Sequence, residues 1–461
     1  MGQKTTERFK MIGAIGLVTT LLAACSGGGG GVANVANQSN SSNTSSNTST
    51  NTTATEAPAP TNNTEISGEV KVLSIFGSGW SDYFNSLMAE FNKVYPNIKV
   101  TYMQQLTNDL PALISAGDNP DILLDGRFPS EWIKDNLIQD LTPFIKADPT
   151  FKSDDFYEPA YKRGFSADGK IWQLPYAIDP NFSIVYNREV LEQYGHTEFP
   201  EMNSLQEFED FAKEFWVVEN GEQVMTTFSP LELYGNFNSL LTFAYMNGAD
   251  STTFYDPATN KVNFHDPKIV EALEWLVRFK RENIDDERIK KLQESLPKNT
   301  SRLIAGKSLF EAAVVGHVQE NLKLNPDLEL VPMPTSSLWF GGHSMMMTTL
   351  GKKENEAATW ALLKWISMDK AAAEFKLKNG GSVSAIKDNP YLVEQAKTDP
   401  AMKVVYDIVQ RAQKTPPYVP VEFENELNAK YGDVISGKLE AKAFLEHMTQ
   451  YTQAKLDELA K

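Results

Sequence analysis

From residue 68 onward, short apolar runs alternate with longer stretches whose apolar residues recur every three or four positions. Val70, Val72 and the run 73–76 predict a buried strand, and Gly77-Ser78-Gly79 predicts a turn after it. Tyr83, Phe84, Leu87, Met88, Phe91 and Tyr95 then keep helical spacing until Pro96 stops the helix. Ile98, Val100 and Tyr102 predict a second strand, and 121–124 a third. Strands alternating with helices predict a parallel sheet covered on both faces, with ligands held beyond the carboxyl ends of its strands. Residues 77–83 and 125–128 lie at two such ends. Further on, Ser204-Leu205-Gln206-Glu207 reads as a capping box opening a helix through Phe208, Phe211, Ala212 and Phe215. Pro267–Asn283, 357–369 and 441–461 predict three more amphipathic helices, and no internal repeat is visible.

The first 66 residues have a different texture. Lys4, Arg8 and Lys10 precede an apolar stretch, 11–22, that is too short to span a bilayer. A basic start, an apolar middle and small residues at a cut mark a secretory signal over 1–24. The ending Leu21-Leu22-Ala23-Ala24-Cys25 resembles the lipobox of bacterial lipoproteins, which implies a lipidated Cys25 at the start of the mature chain. An ordinary signal with a chance cysteine is the alternative. Two acyl chains suffice for a stable anchor. Residues 25–66 then run through glycines, a Ser/Thr/Asn tract and Ala57-Pro58-Ala59-Pro60. With almost no large apolar residue they form a flexible tether with a wide reach, as on a Gram-positive surface.

Composition narrows the function. The chain of 461 residues carries 43 basic and 60 acidic side chains, a net charge of −17. That balance opposes nucleic-acid binding, which needs a basic footprint, and keeps the protein soluble beside an anionic membrane. Cys25 is the only cysteine, so no internal disulfide forms. Hydrophobic residues at 41% describe an ordinary globular body. A folded part of roughly 400 residues is expected to divide into two domains.

Several segments together resemble one family. Leu113-Ile114-Ser115-Ala116-Gly117-Asp118-Asn119-Pro120-Asp121-Ile122 follows the strand-helix-strand opening. Gly169-Lys170-Ile171-Trp172-Gln173-Leu174-Pro175-Tyr176 leads into Ile184-Val185-Tyr186-Asn187-Arg188-Glu189-Val190-Leu191. Ile304-Ala305-Gly306-Lys307-Ser308-Leu309-Phe310, Val331-Pro332-Met333-Pro334 and Gly341-Gly342 come later, with Trp360 and Trp365 on the helix that follows. In this order they resemble extracellular solute-binding protein family 1, the sugar-type substrate-binding lipoproteins of ABC importers, a group that includes maltose-binding protein. The resemblance implies an α/β fold of the type II periplasmic-binding-protein class: two lobes, a central cleft and crossover hinge strands. It places the crossings near 176–179, 332–335 and 381–385. One lobe is then 67–177 plus 333–383, and the other 178–332 plus 384–461.

The implied ligand is a carbohydrate, an oligosaccharide above all, delivered to a two-subunit membrane permease with an ATPase. Sugar sites combine aromatic faces for the C–H faces of pyranose rings with carboxylates and amides for the hydroxyls. Trp80 and Tyr83 follow the first strand and are candidates to line the cleft, although Tyr83 also fits a position packed inward with Phe84. Asp125 and Arg127 end the third strand, as ligand contacts or as an ion pair on the rim. Asp179 stands where maltose-binding protein has a sugar-binding carboxylate at the hinge. Tyr234 and Asn238 flank a Gly-Asn turn that closes over a ligand or lies on the surface. Glu311 interrupts an apolar run, where a carboxylate is costly unless paired or facing the cleft. Trp339, Gly341 and His343 form an aromatic, glycine-rich loop in which Trp339 is expected as an exposed stacking platform. Met345-Met346-Met347 reads as a core strand. Val314, Val315, Gly316 and His317 stand where maltose-binding protein has paired tryptophans, which argues against maltodextrin.

No catalytic residue, cofactor or metal is expected. The five histidines have no zinc spacing, and neither a Gly-x-Ser-x-Gly elbow nor a phosphate-binding loop appears. A monomer is expected. The alternatives are a lipid-anchored carbohydrate-active enzyme and a binding protein that feeds a sensor kinase.

Overall fold

The computed structural model describes residues 63–459 except 127–129, 167–168, 180–182, 232, 234, 314–320 and 388. Cys25, Arg127, Tyr234 and the segment 314–317 therefore lie outside the described residues, as do the signal segment and nearly all of the tether.

Strand β1 (Gly68–Ser74) buries Val70, Val72 and Leu73. It pairs in parallel with β2 (Ile98–Tyr102) on one side and β3 (Ile122–Asp125) on the other. Helix α1 (Ser81–Val94) presents Phe84, Leu87, Met88 and Phe91 to this sheet, the face its periodicity predicts. The sheet does not stay parallel. Strand β4 (Leu174–Ala177) lies at its edge, and β12 (His343–Met347) runs antiparallel between β3 and β4. Among the described residues the order is β2-β1-β3-β12-β4. This corrects the expectation of a uniformly parallel sheet. The chain re-enters the sheet at the end where β3 leaves it, so it must run the opposite way. Met345, Met346 and Met347 are buried in β12.

A second sheet is built from β5 (Ser183–Asn187), flanked antiparallel by β10 (Phe310–Ala313) and β11 (Leu328–Pro332). Two hairpins lie between these strands in sequence: β6 (Val217–Glu219) with β7 (Glu222–Met225), and β8 (Tyr255–Asp256) with β9 (Lys261–Val262). Helices α2 (Leu205–Lys213), α3 (Asn236–Met246) and α4 (Pro267–Asn283) cover one face. Phe208 of α2 sits among Phe228, Phe243, Trp275, Phe279 and Phe310. Ser204 caps α2 by accepting from the Glu207 amide, while the Glu207 carboxylate accepts from the Asn203 amide. The helix ends at Lys213, short of Phe215.

The chain passes from the first sheet to the second between β4 and β5, and returns between β11 and β12. A third passage follows helices α5 (Glu356–Met368) and α6 (Lys370–Gly380). It leads to α7 (Pro390–Thr398), α8 (Pro400–Arg411), α9 (Val421–Ile435) and α10 (Ala441–Leu459). The passages are tied to one another. Gly341 N–H donates to Asp179 O at 3.1 Å, Asp179 N–H to Gly341 O at 3.4 Å, and Ile178 N–H to Val383 O at 2.8 Å. Gly342 adopts φ +110°, and a Cβ there would come within 2.2 Å of Ala177 O. The close approach and the backbone angle both require glycine.

Lys376 of α6 is fully buried. Its ammonium donates to Tyr176 O at 2.5 Å and Ile366 O at 2.8 Å, holding β4 against the α5–α6 pair. Burial pushes its pKa down from 10.5 to about 7.

Two outcomes follow from this frame. Gly342→Ala destabilises the protein by about 1–3 kcal/mol in denaturant unfolding, whereas Gly79→Ala, with open space around it, leaves stability unchanged. Between pH 7 and 10.5 the unfolded chain keeps a proton on Lys376 that the folded chain has lost, so this group's share of stability rises with pH. Lys376→Met removes that share. From pH 7 to 9, the wild type gains on the variant by up to about 1.4 kcal/mol per pH unit.

Candidate functional site

The carboxyl ends of β1 and β3 meet the first two passages at one place, and aromatic rings line one side of it. The turn after β1 is a single tight turn, Gly77–Trp80, started by Gly77 at φ +56°. It folds Trp80 back onto Phe76, with ring centroids 3.9 Å apart and planes 21° from parallel. Tyr83, one turn into α1, lies 4.8 Å from Trp80, and Tyr176 of β4 lies 5.7 Å from it. Tyr83 is half-buried beside both Trp80 and the α5–α6 helix pair. Its ring rests on Phe375 and its hydroxyl shares a 3.1 Å hydrogen bond with that of Tyr176. Burial pushes the Tyr83 hydroxyl up to about 12 and the Tyr176 hydroxyl well above 10, so both stay protonated.

Charged groups gather beside these rings. Asp125, at the end of β3, is 1% exposed and accepts from Thr107 Oγ1 at 3.0 Å. His343 starts β12, with its imidazole edge-on to Phe76 at 5.0 Å. Arg163 follows a short helix, Glu158–Lys162. Its Nη2 donates to Gly126 O at 3.2 Å, and both terminal nitrogens donate to Gly342 O at 3.3 Å. Asp179 is half-buried on the first passage, within electrostatic range of both Arg163 and His343. Burial pulls Arg163 down to about 10, against the pull of Asp179, so the guanidinium remains charged at neutral pH. Burial also lowers the His343 pKa below 6.5; Asp179 and Asp125 oppose the shift and Arg163 adds to it. His343 is neutral at pH 7.

The remaining candidates lie on the returning passage and on the second sheet and its helices. Trp339 is not exposed, as its glycine-rich loop suggested. It is 4% exposed, and its indole N–H donates to Thr242 Oγ1 of α3 at 3.0 Å. The backbone beside it is pinned by Phe340 N–H donating to Lys414 O. A buried indole needs an acceptor, and Thr242 supplies one that no sequence window reveals. The ring still reaches the junction, because a Cβ on Gly341 would lie 3.0 Å from Trp339 Cζ3 and 3.7 Å from Asp179 Cβ. Asn238 is half-buried in the first turn of α3. Glu311 stands opposite Val185 in the β10–β5 ladder. Directly paired residues share a face, so it lies on the side of Val185 and Leu330 rather than with the Phe208 cluster.

Trp80, Tyr83, Asp125, Asp179, Trp339, Gly341 and His343 thus come together around the junction of the passages. Phe76, Thr107, Arg163 and Tyr176 join them without having been singled out from the sequence. Phe76 ends an apolar run and reads as core, and Arg163 has no pattern around it. Among the described residues no cluster of three or more His, Cys, Asp or Glu side chains suits a metal ion, and no helix is long and apolar enough to cross a membrane.

Known proteins share this fold. The ABC substrate-binding protein from Listeria monocytogenes in complex with cycloalternan superposes with a TM-score of 0.66 at 18% identity, covering 85% of this chain and 100% of its own. Maltose-bound MalE3 from T. maritima gives 0.63 at 18% identity, with 85% and 99% covered. UgpB from Mycobacterium tuberculosis in complex with glycerophosphocholine gives 0.65 at 15% identity, with 86% and 100% covered. At such identities the likeness establishes the fold, the type II periplasmic-binding-protein class. The family model for bacterial extracellular solute-binding proteins matches residues 86–404, most of the chain. By that match the chain belongs to the bacterial extracellular solute-binding protein family, whose members capture solutes outside the cytoplasm.

Proposed function

We propose that this protein captures a neutral carbohydrate, an oligosaccharide above all, and delivers it to an ABC import permease composed of two membrane subunits with an ATPase. One observation carries the reading: the Phe76–Trp80–Tyr83 wall stands beside Asp125 and Asp179 where the passages meet. An aromatic wall suits the apolar face of a pyranose, and carboxylates accept from its hydroxyls. Two of the similar structures, those bound to cycloalternan and to maltose, hold sugars.

The lobes in this reading are 67–177 plus 333–383 and 178–332 plus 384–461. Sugar binds between them, and closure about the passages excludes water from it. Two contacts across the proposed boundary fit a closed arrangement: Lys134 Nζ donates to Glu458 O at 2.9 Å, and Gln410 Nε2 to the Tyr157 hydroxyl at 2.9 Å. The closed form docks as a monomer on the permease. Lipid on Cys25 holds the protein at the outer face of the membrane, and the Ser/Thr/Asn tract gives it reach.

Thermal melting of the purified protein against a panel of mono- and oligosaccharides, with glycerophosphocholine as control, tests this reading. A sugar at about 100 times its dissociation constant stabilises by roughly 2.7 kcal/mol and is recovered uncleaved. Trp80→Ala and Asp179→Asn each weaken its binding about tenfold or more. Cleaved sugar would mark an enzyme instead, and a shift with glycerophosphocholine alone would replace carbohydrate as the ligand. A second measurement addresses the anchor: cells fed labelled palmitate label the wild type, and Cys25→Ala abolishes the label and releases the protein into the medium.

A further inference from the structure

We propose that Arg163 is a positioning residue of this binding site, whose single guanidinium ties Gly126, just past β3, to Gly342 of the returning passage and so sets Asp125 and His343 relative to each other. Its bearing on sugar affinity rests on the function proposed above; the clamp itself does not.

The base of the side chain is held before the guanidinium reaches the site. Gln173 is buried and its side-chain amide donates to Arg163 O at 3.0 Å. The next residue, Gly164, lies so close to Gln173 that a Cβ on it would come within 2.2 Å of Gln173 O. Gly164 O in turn accepts from Trp172 N–H at 2.8 Å. Arg163 therefore projects from a backbone fixed on both sides.

The targets lie just past the end of a ladder. The β3–β12 pairing runs from Ile122–Met347 to Asp125–Ser344. Beyond it stand Gly126 on one side and, on the other, His343 and then Gly342. The guanidinium bridges Gly126 O and Gly342 O across that gap. A planar fork can serve two carbonyls at once; a lysine ammonium lacks that fixed geometry. The same cation is within electrostatic range of His343 and Asp179. The charged groups acting on His343 are Arg163, which disfavours the imidazolium, and Asp125 and Asp179, which favour it. Burial remains the largest influence and still holds the ring's pKa down; removal of the arginine charge takes away the second lowering influence and raises the pH at which the ring titrates.

Arg163→Gln and Arg163→Lys test the proposal in the purified full-length protein. The NMR titration of His343 and hydrogen exchange over residues 341–344 are measured without ligand. Glutamine raises the His343 midpoint, lysine leaves it low, and both variants exchange faster than wild type over 341–344. With maltotriose and mannotriose as probes, both variants bind whichever sugar the wild type binds about tenfold or more weakly. If neither sugar binds the wild type, those sugars are excluded as its ligand, and the ligand-free measurements still decide the role of Arg163. A purely structural arginine would lower the melting temperature yet leave the exchange over 341–344 at its wild-type value; the His343 midpoint reports the nearby charge. An unchanged midpoint or unchanged exchange over 341–344 in Arg163→Gln overturns the proposal. Should that variant fail to fold, wild-type exchange in Arg163→Lys does so.

Discussion

Asp179 and Gly341 exchange a pair of backbone hydrogen bonds where two passages between the sheets lie side by side, and the rest of the site takes its positions from that junction. Paired with each other, and with Ile178 bonded to Val383 of the third, these passages form one hydrogen-bonded strap. The approach is close enough that Gly342 has no room for a Cβ. Trp339 and His343 flank this strap, and Asp179 is part of it. Groups contributed by both sheets therefore meet at a single axis.

Electrostatics at the junction follow from its partial burial. Asp125, Asp179, Arg163 and His343 sit close together where water is scarce, so each charge alters its neighbours. Burial favours neutral His343, and the guanidinium beside it reinforces that preference. The tyrosine hydroxyls of the aromatic wall are held protonated in the same way. The result is a site of hydrogen-bond acceptors and ring faces, with its arginine engaged by backbone carbonyls. That chemistry suits a polyhydroxylated, uncharged solute better than an anion.

Support for the site comes from below as well. Lys376 is buried beneath Tyr176 and donates to its carbonyl, while the Tyr176 hydroxyl meets Tyr83. A buried ammonium is costly, and the two carbonyls it satisfies lie on different elements, an edge strand and a helix. The edge of the first sheet is thereby tied to the helices that lead into the third passage.

How much of this was legible in the sequence depends on the range of the interaction concerned. Periodicity located α1, α4 and the three opening strands, because a buried face imposes its repeat directly on the residues that form it. Motif order pointed to the family and to where the passages run. Trp80, Asp125 and His343 drew notice because they follow strand ends or glycine turns, positions that local chemistry marks, whereas Asp179 came only from the family resemblance. Burial of Trp339 depended on Thr242, 97 residues away in the chain. The antiparallel entry of β12 followed from the direction in which the chain returns, and no window contains that direction. Arg163 shows the limit most clearly: its sequence neighbours say nothing of it, and its partners are backbone carbonyls of two glycines from distant segments. The sequence by itself determined the elements, the charge and the family, since these are local or cumulative properties of the residues. Only the tertiary structure decided which side chains share the site and which are spent holding it, because hydrogen-bond partners and burial belong to the assembled chain.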